Sequence, residues 1–226
     1  MATAQTNDAP IAQDDYEFSE LLGLKGSYFA YDQLTGMPNL NNVADVEAIV
    51  NANSADATFN AQTIHYGLGN GNLGGSGNLE DFLGSDADTL STDNTPVTSD
   101  AIITMEGLID IEAGTYRFNV NADDGYVIKI DGVIVAIVDK IQSPTSDTHD
   151  SFTIAEDGKH SIEIIYWDQG GDYVFEPTIS KDGGAFEQLN TYTLTSGFNT
   201  PEDTAMTFDP AILIANDTDE DGDVLT

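Results

Sequence analysis

The stretch Glu112-Ala113-Gly114-Thr115-Tyr116-Arg117-Phe118-Asn119-Val120-Asn121-Ala122-Asp123-Asp124-Gly125-Tyr126-Val127-Ile128-Lys129-Ile130-Asp131-Gly132 decides the fold. It reads as turn, strand, acidic pair, second strand and hairpin turn. Thr115, Tyr116, Phe118 and Val120, then Tyr126, Val127, Ile128 and Ile130, are the β-branched and aromatic residues that strands favour. Asp131-Gly132 ahead of Val133-Ile134-Val135 is a short hairpin signal. Asp123 and Asp124 pose a geometric question, because neighbouring side chains on a strand point to opposite faces. Both carboxylates reach one point only if the backbone bends there or the peptide bond between them is cis. A shared divalent cation is one reason for such an arrangement. The plain alternative is a polar Asp-Asp-Gly turn.

Working outward, the downstream chain is strand after strand. Ala101 to Leu108 is one, and Val133 to Val138 continues the hairpin. Ser151 to Ile154 leads to a turn at Asp157-Gly158, followed by the strand His160 to Trp167. Phe175 to Ser180, the turn Lys181-Asp182-Gly183-Gly184 and Ala185 to Leu189 form a last hairpin. Upstream, Leu21 to Tyr31 and Thr58 to Tyr66 have strand character. Between them Val43, Val46, Ile49 and Val50 recur at helical spacing behind Asn41 or Asn42, which predicts a helix over about 43–53. Residues 67–100 are rich in Gly, Asn, Asp and Ser and read as a long surface loop. Asp86, Asp88 and Asp93 within it are expected to be solvated acids or, less simply, contacts to a peripheral calcium. The expectation is an all-β fold: an antiparallel β-sandwich with one short helix and long surface loops.

Charge and composition narrow the function. The 226 residues carry 40 acidic and 6 basic side chains, a net charge of −34. Phosphate backbones and anionic membrane surfaces are bound by clustered Lys and Arg, so neither nucleic acid nor direct membrane binding is expected. Such a charge makes the compact state repel itself, which bound cations or a salty medium relieve. The absence of cysteine excludes disulfides and thiolate metal sites. The longest apolar run, Val133 to Val138, is too short to span a bilayer, and Met1 to Pro10 lacks the apolar core of a secretory signal. His65, His149 and His160 are scattered, with no nucleophile–His–acid arrangement legible around them.

The pattern Gly114-Thr115-Tyr116, strand, Asp123-Asp124-Gly125, strand, Asp131-Gly132 resembles the protective-antigen domain family, found in yeast flocculins, epithelial adhesins, glycosidases and bacterial adhesins. The resemblance spans about residues 19–195. With its flanks, the chain looks like the sugar-binding module of a giant ice-binding adhesin of the repeats-in-toxin type. The resemblance implies that Asp123 and Asp124 are joined by a cis peptide and hold one calcium ion. It also implies that the loop after the Trp-bearing strand, Asp168-Gln169-Gly170-Gly171-Asp172, completes the coordination. Calcium takes about 6–8 oxygen ligands, carboxylates and carbonyls among them. A Gly-Gly pair turns carbonyls inward where side chains resist. Zinc or copper would normally be marked by His or Cys ligands, and none cluster here.

The expected metal ligands are therefore Asp123, Asp124, Gln169, Gly171 and Asp172, with Gln169 or Asp172 standing where family members commonly carry Asn. Asp123, Asp124, Gln169 and Gly170 are the expected sugar contacts, two adjacent hydroxyls filling open calcium positions. Trp167 and Tyr173 are candidates to flank the sugar's apolar face, Trp167 being the more at home in a core. Asp217-x-Asp219-x-Asp221-Gly222 has calcium-loop spacing and reads as a truncated or inter-module site.

By domain, 1–18 reads as a linker from a preceding tandem repeat, 19–197 as the lectin domain, and 198–226 as a linker with the truncated start of a cadherin-like repeat. The expected whole is a calcium-dependent lectin module of an extracellular cell-surface adhesin, without enzyme activity, binding sugars of cell-surface glycans and flanked by tandem neighbouring repeats. The alternatives are a calcium-rigidified spacer that recognises nothing, and an accessory domain of a glycosidase.

Overall fold

The computed structural model describes residues 22–33 and 38–196. In chain order it contains β1 (Leu24–Tyr31), α1 (Val43–Ala52), β2 (Ala57–Ala61), β3 (Tyr66–Gly69), α2 (Asn78–Leu83), a 3-10 helix (Gly84–Thr89) and β4 (Asp100–Ile111). Then follow β5 (Gly114–Asp123), β6 (Tyr126–Ile130), β7 (Val133–Val138), β8 (Thr145–Thr148), β9 (Phe152–Ile154) and β10 (Gly158–Asp168). The last elements are β11 (Tyr173–Lys181), β12 (Glu187–Gln188), a 3-10 turn (Leu189–Thr191) and β13 (Thr193–Thr195).

Two antiparallel sheets form the sandwich. One runs β2-β1-β4-β10-β6-β7 with β13 also on β4; the other runs β12-β11-β5-β8, with β3 on β11 and β9 on β5. The hairpin signal at Asp131-Gly132 is realised: both residues have positive φ, 49° and 73°, as the tight turn between β6 and β7 requires.

Strand alternation builds two cores rather than one. Ile103 and Tyr166 lie opposite each other across β4 and β10 and face the main core between the sheets, with Tyr28, Phe118 and Phe175. Their chain neighbours Ile102 and Trp167 are also paired, and face the other way. They meet Val46 and Ile49 of α1 in a second, smaller core on the outer side of the larger sheet. The helix starts where its sequence indicates, since Asn42 Oδ1 accepts from Asp45 N at 3.0 Å. Trp167 is fully buried there. Removing so large a buried side chain costs about 3–5 kcal/mol, so the second core is a substantial part of the fold.

Three expectations are corrected. Thr58 to Tyr66 is not one strand: the chain leaves the larger sheet after Ala61, turns at Ile64 (φ 40°) and enters the smaller sheet as β3. Residues 67–100 are not simply a loop, and the described residues contain two α-helices where one was expected. Leu79, Phe82 and Leu83 of α2 are buried in the main core, where the Phe82 ring stacks on Tyr166 at 5.5 Å. The sequence does carry that i, i+3, i+4 spacing, masked by the Gly- and Asn-rich residues before it. The third correction is Asp86, which is neither solvated nor a peripheral ligand. It is 4% exposed, and its Oδ2 accepts from Gln62 N, Thr63 N, Thr63 Oγ1 and Tyr66 OH at 2.9–3.1 Å. It staples the crossing between β2 and β3.

Candidate functional site

Asp123-Asp124-Gly125 is the link by which the chain leaves β5, in the smaller sheet, and enters β6, in the larger one. Residues 169–172 do the converse, leading from β10 in the larger sheet to β11 in the smaller. Pairing of β5 with β11 and of β6 with β10 then forces the two links side by side at one end of the sandwich. Asp123 lies opposite Val174, and Tyr126 opposite Tyr166. Backbone bonds close the gap: Asp124 N donates to Trp167 O, and Trp167 N donates to Gly125 O, both at 3.1 Å. Position 125 must lack a side chain, because a Cβ there would sit 2.2 Å from Trp167 Cζ2. The smaller core thus sets the height of the acidic link above it.

The peptide bond between Asp123 and Asp124 is cis. Both carboxylates, together with that of Asp168, place oxygens within 4.8 Å of one another, and all three residues are buried. Among the described residues none of the three has a Lys, Arg or His partner. Donors hold them only in part. Asp124 Oδ1 accepts from Gln142 N at 3.0 Å and Oδ2 from Gln169 N at 2.6 Å. Asp168 Oδ2 accepts from Leu73 N at 2.7 Å and Oδ1 from Gly170 N at 3.1 Å. The main-chain carbonyl of Asp123 accepts from Tyr166 OH, which fixes the start of the link from the main core.

This crowding is electrostatically unfavourable without a counter-ion. Burial, then the neighbouring charge of Asp124, pushes Asp123 up to about 7, and exposed Asp172 adds to the shift. Burial pushes Asp168 up to about 8, against the Leu73 amide and with the Asp124 and Asp123 charges. Burial also raises Asp124, although the Gln169 and Gln142 amides oppose it. Carboxylate-only donors, clustered and lacking cationic partners, fit a hard divalent cation such as calcium, and nothing in the set favours zinc or copper.

Of the residues singled out from sequence, Asp123 and Asp124 come together as expected. Gln169 meets them through its backbone amide on Asp124, Gly170 through its amide on Asp168, and Asp172 through its charge. Gly170 and Gly171 have φ of 83° and 104°, so the loop turns through a conformation that side chains resist. Gly171 N donates to Asn72 Oδ1 at 3.1 Å. Trp167 and Tyr173 do not flank an open site. Both are buried, Trp167 in the smaller core and Tyr173 edge-on to Phe82 at 5.6 Å. Asp217, Asp219 and Asp221 lie outside the described residues.

Sequence reasoning placed Asp168 in the coordinating loop without naming it a ligand, and missed Gln142 and the pair Asn72–Leu73 as parts of this site. Asp168 had a signal, since alternation from Trp167 places it on the opposite face of the strand end. Gln142, Asn72 and Leu73 had none, because only chain folding brings them near. The histidines are indeed scattered, bonded separately to Glu176, Tyr126 and Asp131. Among the described residues no helix is long and apolar enough to cross a membrane.

Residues 80–176 match the PA14 domain. The chain is 44% identical to a solved PA14 sugar-binding domain from an RTX adhesin, at a TM-score of 0.73 over 77% of this chain and 99% of that one. It is 43% identical to the PA14 domain of the MpAFP antifreeze protein, at a TM-score of 0.72 over 89% of this chain and 100% of that one. The Epithelial Adhesin 9 A domain from Candida glabrata, solved in complex with Galβ1-4GlcNAc, is 12% identical at a TM-score of 0.57, over 86% of this chain and 99% of that one, and shares the fold. No curated protein matches the chain. The fold, the Asp-Asp-Gly link between its sheets and the identity to two PA14 domains agree: the chain belongs to the PA14 domain family.

Proposed function

We propose that this chain is a calcium-dependent carbohydrate-binding module of an extracellular adhesin. The observation that carries the reading is the buried trio Asp123, Asp124 and Asp168, with oxygens within 4.8 Å and no cationic partner among the described residues. Asp123 and Asp124 would hold the ion from one link, Asp168 and the 169–172 loop from the other. A bound calcium would offer open coordination positions to two neighbouring hydroxyls of a pyranose. The protein's own part is to fix the carboxylates: Gln142 N and Gln169 N orient Asp124, and Leu73 N and Gly170 N orient Asp168.

That the 44% identical relative is a sugar-binding domain supports the saccharide, and its adhesin origin supports the setting. The net charge of −34 suits a medium rich in calcium and salt. Partners would be sugars of cell-surface glycans, with neighbouring repeats in a longer adhesin. Glycoside hydrolysis is disfavoured, since it needs two carboxyls about 5–10 Å apart on opposite sides of a scissile bond. Here the acids crowd to one point. Binding to a glycan array with and without chelator tests the reading. Saccharide binding that disappears on chelation is expected; binding that survives it would overturn the metal-bridged mechanism, and no binding in calcium would leave a rigid spacer.

A further inference from the structure

The loop of residues 70–77 is sewn to the link after β10 at two points. Leu73 N donates to Asp168 Oδ2 at 2.7 Å, and Gly171 N donates to Asn72 Oδ1 at 3.1 Å, across 99 residues of chain. Asn72 is held firmly from behind. Its carbonyl oxygen accepts from Gly75 N at 2.8 Å and from Asn78 Nδ2 at 2.6 Å. Its amide rests against the bare side of Gly170, where an added Cβ would come 3.3 Å from Asn72 Oδ1.

The orientation of that amide follows from chemistry. Gly171 N is a donor, so it must face the oxygen, and the NH2 group is left on the other side. Asn72 is exposed, and its Nδ2 has no protein partner among the described residues. A donor with its backbone pinned and its side chain tied at the oxygen has little freedom left to lose on meeting a ligand. It sits one residue from Leu73, which touches the acid cluster, and one bond from Gly171 of the expected metal loop.

We propose that Asn72 is a saccharide-reading residue of this site. Its Oδ1 positions Gly171, and its Nδ2 donates to a hydroxyl of the sugar held beside Asp123, Asp124 and Asp168. The proposal rests on the saccharide-binding reading above. A fixed donor accepts only a hydroxyl that presents a lone pair on its side, so the contact separates sugars that differ in the configuration of one carbon.

Two variants separate positioning from reading. Asn72→Asp is isosteric, keeps an oxygen for Gly171 N and replaces the NH2 group with oxygen. Asn72→Ala removes both functions. Calorimetry with CaCl2 alone gives calcium affinity. Titration of galactose, glucose, mannose, L-fucose and N-acetylglucosamine at saturating CaCl2 gives sugar affinity and rank order. Asn72→Asp is expected to bind calcium at least as tightly as the parent, while affinity for the preferred sugar falls about tenfold, the loss of one hydrogen bond, and the rank order changes. Asn72→Ala is expected to weaken both. An Asn72→Asp variant with parental sugar affinity and order overturns the reading role. An Asn72→Ala variant with parental calcium affinity overturns the positioning role. A parent protein that binds none of the five sugars sinks the saccharide reading itself and the donor role with it; the calcium titrations then still decide the positioning role.

Discussion

Among the carboxylates buried in the described residues, Asp86 and the group Asp123, Asp124 and Asp168 are held in opposite ways. Asp86 is 4% exposed, and four donors converge on a single oxygen. Asp123, Asp124 and Asp168 are equally buried, yet they face one another as much as they face donors. A buried carboxylate met by enough N–H and O–H groups is a structural part, because hydrogen bonds to the charged form replace the lost water. Carboxylates that replace water with each other instead have raised proton affinities. Burial alone therefore does not mark a functional acid; what faces the carboxylate, donors or other carboxylates, distinguishes these two places.

The largest expected effects fall on the two sides separately. Asp124→Ala should abolish saccharide and calcium binding by calorimetry while far-UV circular dichroism still reports a folded sandwich. Unchanged affinity would break the comparison at once. Asp86→Ala should do the reverse. Stranding the donors of Gln62, Thr63 and buried Tyr66 costs about 3 kcal/mol in chemical denaturation, with calcium affinity of the folded protein retained. A stable Asp86→Ala protein would mean that its four hydrogen bonds add little net stability.

Calcium itself should act on one region only. At a free concentration 100 times its dissociation constant it should stabilise the parent by about 2.7 kcal/mol. The gain should vanish in Asp124→Ala and persist in Asp86→Asn. Proton linkage sharpens this further. Asp123 and Asp168 are raised from 3.8 to about 7 and about 8. Their contribution to stability is therefore fully present below the ordinary value of 3.8 and is lost as pH rises through 7 to 8. Calcium needs the deprotonated groups, so its stabilisation should run the other way and fade as pH falls below about 7. Thermal melts with and without calcium should therefore converge at low pH and diverge as pH rises past about 7, the calcium curve being the higher. Curves that coincide at every pH would show that the cluster binds no ion.

The smallest effect lies at the tip of the β6–β7 hairpin, where His160 Nδ1 and Asp131 Oδ2 are 2.6 Å apart. The hydrogen bond to Asp131 raises His160. Burial nudges Asp131 up, but the His160 and Ser161 bonds outweigh it and lower that carboxyl. The pair's stabilisation should be greatest between the ordinary values of 3.8 and 6.5, lost at higher pH as His160 deprotonates and at lower pH as Asp131 protonates. Asp131 is half exposed, so His160→Ala should cost less than about 1 kcal/mol in that window. A larger loss would make this exposed pair more than surface decoration.

Much of this was legible in the residues themselves. Strand residues alternating around Asp-Asp-Gly, the Asp131-Gly132 turn and the helix behind Asn42 follow from local sterics, periodicity and capping, which neighbouring residues carry. The PA14 pattern is likewise local, and so was the expectation that Asp123 and Asp124 converge. What the residues could not reveal is non-local. Asp-Asp-Gly looks like a turn, but it is a passage between two sheets, and only strand pairing decides that. Asp168 joins the cluster because β10 ends beside β5. Trp167 sits under the site rather than on it because its face of the strand is covered by α1. Asp86 is a staple because β2 and β3 belong to different sheets.

The strands, the turn chemistry, the acidic character and the pair of adjacent aspartates are set by the order of residues, since each depends on backbone preferences or charge within a few residues. The tertiary structure alone decided which carboxylates share a point, which are satisfied and which loop residues surround them. Those properties depend on how chain segments up to 99 residues apart are brought within hydrogen-bond distance, and a hydrogen bond or a charge repulsion acts only across that distance.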